Sequence, residues 1–153
     1  MFVRSLEGML LAVGTPVEDA IEDAIADLRL ELAGHKISVV IQPGLPPVEM
    51  EPDAAEGVLQ LILRHAVTSA PSGSEIGVAA SRWQDAVEIR VADRFSGSRE
   101  ARSTRADLPG DRVGQILAAA KATVLTHGGQ IWVEDERGGG TTVVVRLPSS
   151  EDA

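Results

Sequence analysis

The sequence predicts a single α/β domain, a two-layer sandwich in which about three helices cover one face of a mixed, mostly antiparallel sheet. Two observations support this fold class. Segments with helical and strand-like patterns follow one another in the order β-α-β-α-β-β, then a loop, then α-β-β. Three segments repeat apolar residues at helical spacing, whereas the others alternate apolar and polar residues as strands do. That mixture is typical of helices packed on one face of a sheet.

Three helices are predicted from apolar periodicity and end signals. The first runs from Thr15 to Gly34, and Thr15 with Glu18 has the spacing of a capping box. Its apolar residues share one face and its acidic residues share the other, which is the pattern of a solvated outer face. The second helix is predicted over about 53–69, and the third over about 111–126, before two glycines.

Strand patterns occur at both ends of the chain and between the helices, over residues 8–13, 36–42, 75–81, 86–92, 130–135 and 141–147. Residues 94–112 have no hydrophobic period and carry five arginines against three acids, which predicts a mobile, positively charged loop. Residues 149–153 are predicted to be a disordered tail.

Composition excludes several functional classes. The chain has 153 residues, 44% of them hydrophobic, and a formal net charge of −9. A negative protein of this kind is not expected to bind nucleic acid or an anionic membrane, because both need basic surface. The absence of cysteine excludes disulfides and thiolate zinc sites. No apolar run is long enough to span a bilayer, so we expect a cytoplasmic domain without direct membrane contact.

Four segments carry a family resemblance. Residues 127–148, "HGGQIWVEDERGGGTTVVVRLP", resemble the C-terminal end of histidine-kinase ATPase domains, which belong to the superfamily of gyrase, Hsp90 and MutL. Residues 61–73, "LILRHAVTSAPSG", resemble the asparagine box of that family, and residues 88–97, "EIRVADRFSG", resemble its first glycine box. Residues 2–8, "FVRSLEG", resemble the exit of its dimerisation helix.

The resemblance covers nearly the whole chain and implies the Bergerat-type ATP-binding sandwich. It assigns residues 1–14 to the exit of an upstream dimerisation helix with a first strand, and residues 15–148 to the ATP-binding domain.

The resemblance also implies nucleotide contacts, at Asp93, Gly97, Gly114 and Thr141. Asp93 follows a strand at the place where the family's aspartate accepts from the adenine amino group. A buried carboxylate there needs a donor, and an exocyclic amine supplies one. Without the resemblance, Asp93 reads as a polar loop residue and Thr141 as an ordinary strand residue.

Four positions depart from the family pattern where magnesium and phosphate are held. His65 stands where the family has the asparagine that holds Mg²⁺, and Leu61 replaces a polar residue one turn earlier. Neither suits a hard cation that prefers oxygen ligands. Phe95 and Ile116 replace glycines of the two glycine boxes, where backbone must approach the ligand closely. An alternative reading makes His65 a helix-edge histidine that a backbone carbonyl or solvent satisfies.

Arginines of the basic loop offer a way to hold phosphate without a metal. Arg94, Arg99 and Arg112 can pair with phosphate oxygens through their guanidinium groups. The alternative for these arginines is a solvated loop without a ligand.

These observations leave two main hypotheses open. In the first, the chain is a degenerate kinase domain with weak ATP binding, a magnesium site that has lost its usual ligands, and a regulatory or docking role. In the second, it is an active catalytic domain that transfers the γ-phosphoryl group to a histidine of its dimerisation domain. A regulator kinase of the anti-sigma type is a third hypothesis, over which residues 127–148 favour the histidine-kinase branch. The partners implied are the dimerisation and phosphoacceptor domain and a response regulator or partner kinase. No catalytic residue or metal ligand is assigned.

Overall fold

The computed structural model describes residues 14–70, 73–93, 103–106, 112–136 and 140–150. Three helices and six strands occur in this part of the chain. In chain order they are α1 (Val17–Asp27), β1 (Lys36–Ile41), α2 (Pro52–Ser69), β2 (Glu75–Trp83), β3 (Ala86–Asp93), β4 (Ser103–Ala106), α3 (Arg112–Thr126), β5 (Gln130–Glu136) and β6 (Thr141–Pro148).

The strands form one sheet with the order β1-β2-β3-β6-β5-β4. The β1–β2 pair is parallel and all other neighbouring pairs are antiparallel. The predicted mixed, mostly antiparallel sheet is therefore confirmed. β3 and β6 lie at the centre of the sheet, so the residues at their ends are flanked on both sides by other strands.

A single apolar core joins the helices to one face of the sheet. The core-facing residues of β3 are Val87, Ile89 and Val91, which alternate with residues on the opposite face. They pack with buried residues of all three helices, including Ile62 of α2 and Leu117 of α3. The two-layer α/β sandwich predicted from the sequence is confirmed. None of the helices in the described residues is long and apolar enough to cross a membrane.

The first helix differs from its prediction at both ends. α1 ends at Asp27, and residues 28–34 form turns instead of continuing the helix to Gly34. Leu28 and Leu32 remain buried in these turns, which is why the apolar period continues past the helix. The predicted capping box is also wrong, because the Thr15 hydroxyl donates to the Met50 carbonyl at 2.6 Å.

Two predictions on loops and ends need correction or restriction. β4 lies inside residues 94–112, which were predicted to be a loop, and it pairs with β5. The first two residues of the predicted tail are ordered, because the Ser149 amide donates to the backbone carbonyl of Asp85 and the Ser150 amide donates to that of Pro47. The strand predicted over residues 8–13 lies outside the described residues, as do residues 151–153.

The outer face of the sheet, which points away from the helices, has a buried layer of its own. Val144 is fully buried and Trp132 is 5% exposed, yet neither belongs to the main core. Both alternate along their strands with core residues, so their side chains point to the opposite face. The guanidinium carbon of Arg146 lies 4.7 Å from the ring centroid of Trp132 and 3.5 Å from that of Trp83. Long polar side chains therefore cover an apolar strip on this face.

Gly129 is a position where the fold leaves no room for a side chain. A Cβ atom there would lie 2.5 Å from the backbone oxygen of Arg146. We expect Gly129→Ala to destabilise the protein by about 1–3 kcal/mol, because the strand backbone must move. The matched control is Gly57→Ala in α2, where a Cβ meets nothing within 4 Å. That change should stabilise by about 0.5–1 kcal/mol, and urea denaturation measures both. Equal effects in the two variants would contradict this account.

The acid stability of the fold should depend on Glu88. Burial raises the pKa of this carboxyl, but hydrogen bonds from Arg146 and Arg90 outweigh burial and hold the pKa below its usual value of 4.5. Because the folded pKa is the lower one, this stabilisation is complete above pH 4.5 and is lost as pH falls through the folded pKa. Glu88→Gln should therefore flatten the fall in unfolding free energy below pH 4.5, measured by urea denaturation on both sides of that pH. An unchanged slope would contradict the assignment.

Candidate functional site

Asp93 and Thr141 meet where the two central strands leave the sheet. Asp93 is the last residue of β3 and Thr141 is the first residue of β6, and they are direct partners in the antiparallel register. The backbone N–H of Thr141 donates a hydrogen bond to Asp93 Oδ1. Asp93 is 4% exposed, so its carboxylate is held in a buried position at the helix-facing side of the strand ends.

α2 supplies the wall that faces these strands. It packs against β3, β6 and α3. His65 lies on its buried face with 3% exposure, so solvent does not satisfy its imidazole, and the alternative in which a backbone carbonyl does so stays a prediction. Leu61, one turn earlier, is half-buried and packs against the core. This stretch of α2 therefore carries hydrocarbon and imidazole instead of a pair of oxygen donors.

α3 contributes its N-terminal turns to the same region, because it packs against α2. The helix begins at Arg112, so Gly114 lies in its first turn, where backbone N–H groups have no partner within the helix. Ile116 is half-buried. The next residue, Leu117, is fully buried in the core.

The remaining predicted site residues stay predictions. Phe95, Gly97, Arg94 and Arg99 lie outside the described residues. Arg112 begins α3, but its side chain also lies outside what the structure describes.

The residues suit a purine better than a magnesium ion. A carboxylate has about four lone-pair sites, so Asp93 can accept from an exocyclic amine as well as from the Thr141 amide. Magnesium needs oxygen ligands in octahedral geometry, and neither Leu61 nor a buried imidazole provides one. Within the described ranges, no group of three or more His, Asp or Glu side chains is arranged to hold a metal. The side chains of α2 therefore do not fit the magnesium ion that the resemblance implies.

Two charged residues without a role in the sequence motifs, Arg90 and Glu134, meet on the face of the sheet opposite Asp93. Arg90 on β3 and Glu134 on β5 form an ion pair on the outer face of the sheet. Arg90 lies between two apolar residues of β3 and Glu134 follows an apolar residue of β5, and this alternation predicts that their side chains lie on the face opposite the core. Periodicity does not show which charges on one face meet, because that depends on strand order.

A family comparison agrees with this geometry. The model of the "Histidine kinase-, DNA gyrase B-, and HSP90-like ATPase" family matches residues 50–151. The chain belongs to this family.

The curated relatives are sensor histidine kinases. The chain is 33% identical to histidine protein kinase DivJ of Caulobacter vibrioides over 86% of this chain and 25% of that protein. It is 31% identical to sensor histidine kinase CpxA of Escherichia coli over 80% of this chain and 29% of that protein. The chain thus spans between a quarter and three tenths of the length of these two relatives.

Solved structures share the fold at low sequence identity. The catalytic domain of histidine kinase ThkA superposes with a TM-score of 0.73 at 13% identity, covering 94% of this chain and 100% of that one. Mycobacterial sensor histidine kinase MprB gives a TM-score of 0.69 at 21% identity, covering 91% and 98%. These likenesses establish the fold alone.

The Asp93–Thr141 contact can be tested through stability. Asp93→Ala leaves the Thr141 amide without its acceptor, and we expect a loss of about 1–3 kcal/mol in the free energy of unfolding. Asp93→Asn keeps a side-chain oxygen at the same place and should lose less. Urea denaturation compares the two variants, and equal losses would contradict the assigned hydrogen bond.

Proposed function

We propose that the chain is the ATP-binding domain of a two-component sensor histidine kinase that keeps a purine site but lacks the side chains for a magnesium-bound triphosphate. In this proposal the domain turns over ATP slowly or not at all, as a pseudokinase, and has a regulatory or docking role in phosphorelay signalling. The observation that carries the proposal is the contrast between the buried Asp93–Thr141 pair and the residues Leu61 and His65 on α2.

The purine half of the proposal rests on the sheet. Asp93 is positioned by a backbone donor that does not depend on side-chain rotamers, so its carboxylate presents a defined acceptor to a base. Gly97 and Gly114 are proposed to let backbone approach the nucleotide, and the Thr141 side chain to support the base. Base specificity then comes from the pairing of an exocyclic amine with a carboxylate.

The loss of metal chemistry rests on the helices. Phosphoryl transfer relies on metal ions that bridge phosphate oxygens and neutralise developing charge. Leu61 and His65 supply no such support, and Phe95 and Ile116 are proposed to narrow the space that phosphates need. Arg94, Arg99 and Arg112 are proposed as metal-independent phosphate contacts, because guanidinium groups pair with phosphate oxygens directly.

An active kinase domain is the second candidate function. It is favoured by the relatives, which are named as kinases, and by full-length ShkA, whose structure is a complex with AMPPNP. ShkA shares the fold with a TM-score of 0.72 at 19% identity. Under either function we propose a cytoplasmic domain that works with a dimerisation and phosphoacceptor domain and with a response regulator or partner kinase.

Calorimetric titration with ATP and a non-hydrolysable analogue, with and without magnesium, distinguishes the two candidates. We expect weak binding whose affinity changes with magnesium by less than about tenfold, a factor that corresponds to 1.4 kcal/mol. Micromolar affinity that requires magnesium would favour the active kinase and overturn the proposal.

Restoring the polar pair on α2 tests the proposed cause. The double variant Leu61→Asn with His65→Asn should gain affinity for the ATP analogue in the presence of magnesium. The matched control places asparagine at Arg64 and Thr68, which have the same spacing on the exposed side of α2. A gain in the control, or none in the test variant while it remains folded, would show that the α2 residues are not the limiting defect.

A further inference from the structure

The outer face of the sheet carries a closed network of ion pairs and hydrogen bonds. Glu88 accepts from Arg90 Nη1 at 3.0 Å and from Arg146 Nε at 2.8 Å. Arg90 Nη2 donates to Glu134 Oε1, and Glu134 Oε2 accepts the indole N–H of Trp132 at 3.0 Å. All four carboxylate oxygens of the two glutamates therefore have a donor.

The network favours the charged forms of Arg90 and Glu88. Burial lowers the pKa of Arg90, but the hydrogen bonds and charges of Glu88 and Glu134 outweigh burial and raise it above its ordinary value. Hydrogen bonds from the two arginines likewise hold the pKa of Glu88 below its usual value against the effect of burial. Charge pairs that are partly withdrawn from solvent are screened less than pairs on an open surface.

The Arg90–Glu134 bridge crosses a strand. Arg90 lies on β3 and Glu134 lies on β5, and β6 runs between these two strands. In the register, Arg90 is the partner of Val144, and Glu134 is the partner of Thr142. The bridge therefore passes over β6 and ties three strands together, whereas a pair on adjacent strands ties only two.

This bridge lies close to the proposed base site. Thr142 follows Thr141 directly, so the partner of Glu134 is the residue next to the donor of the Asp93 hydrogen bond. Arg90 is three residues from Asp93 along β3, or about 10 Å at 3.3 Å per residue. The Asp93–Thr141 pair faces the helices and the bridge faces away from them, so the bridge acts on the base site only through the strand backbones.

We propose that Arg90 and Glu134 are positioning residues for the purine site, because their bridge fixes the ends of β3 and β6 at the spacing that the Asp93–Thr141 hydrogen bond requires. The proposal rests on the proposed function in which this pair binds a purine. It assigns the outer face a role in nucleotide affinity although no residue of that face reaches the ligand.

The network supplies its own matched control. Glu88 and Arg146 are direct register partners on β3 and β6, and their ion pair has the same chemistry on the same face. Glu88 is five residues from Asp93, or about 17 Å along the strand. Glu88→Gln keeps a side-chain oxygen that can accept from Arg90 and leaves the charge pair of Arg90 with Glu134 in place, whereas Glu134→Gln removes the negative charge of that pair. Both changes conserve side-chain size.

Hydrogen exchange of the Thr141 amide tests positioning without any ligand, because this N–H donates to Asp93. We expect Glu134→Gln to accelerate its exchange on the order of tenfold relative to other β6 amides, since local opening becomes easier. Glu88→Gln should leave that ratio unchanged, even where it lowers global stability. Equal ratios in the two variants would overturn the positioning role.

Titration with ADP in the absence of metal then tests the link to the ligand. Glu134→Gln should weaken ADP binding by about threefold to tenfold, and Glu88→Gln should bind as the unmodified protein does. Arg90→Lys should behave like Glu134→Gln, because a lysine ammonium lacks the planar guanidinium that reaches across β6 to Glu134. Equal ADP affinities in all variants would overturn the proposal.

The two experiments separate failure of the purine site from failure of the bridge. If the unmodified protein binds no ADP, the purine site is wrong, and the exchange ratio still decides whether the bridge positions Thr141.

Discussion

The hydrogen bond from the Thr141 amide to Asp93 is the contact on which the candidate site depends. It joins the ends of the two central strands, so it is at once part of the sheet and part of the site. The donor is a backbone N–H, whose position is fixed by the strand and not by a side-chain rotamer. The buried carboxylate of Asp93 is therefore held in one orientation. The chemistry proposed for the purine therefore follows from the antiparallel register of β3 and β6, which the alternating apolar core specifies.

Features suited to a nucleotide divide between the two layers of the sandwich. Those that suit the base lie on the sheet, at Asp93 and Thr141. Those that would serve metal and phosphate belong to the helices, where Leu61, His65 and Ile116 stand. In the proposed function, the fold and the base contact are kept while the metal site is lost.

The fold class, α2 and the strand pairs β2–β3 and β5–β6 could be predicted from the sequence, because each has a clear period and a clear end signal. The end of α1 could not, since Leu28 and Leu32 continue the apolar spacing through turns. The partner of Thr15 was missed because its hydroxyl reaches Met50, which is distant in sequence. β4 lacks an apolar period, and its pairing with β5 is what makes it a strand. Among the site residues, the hydrogen bond between the Thr141 amide and Asp93 could not be predicted, because it depends on the register of β3 and β6. The burial of His65 depends on how α2 is rotated against the sheet.

Both tryptophans of the chain, Trp83 and Trp132, stack on Arg146 at the outer face, and tyrosine is absent. The near-ultraviolet absorption and emission of the folded protein therefore originate almost entirely from a layer that the helices do not touch. Tryptophan absorption and fluorescence therefore report on the outer face of the sheet, whereas far-ultraviolet circular dichroism reports mainly on the helices. Comparing the two probes separates melting of one layer from melting of the other without any introduced label.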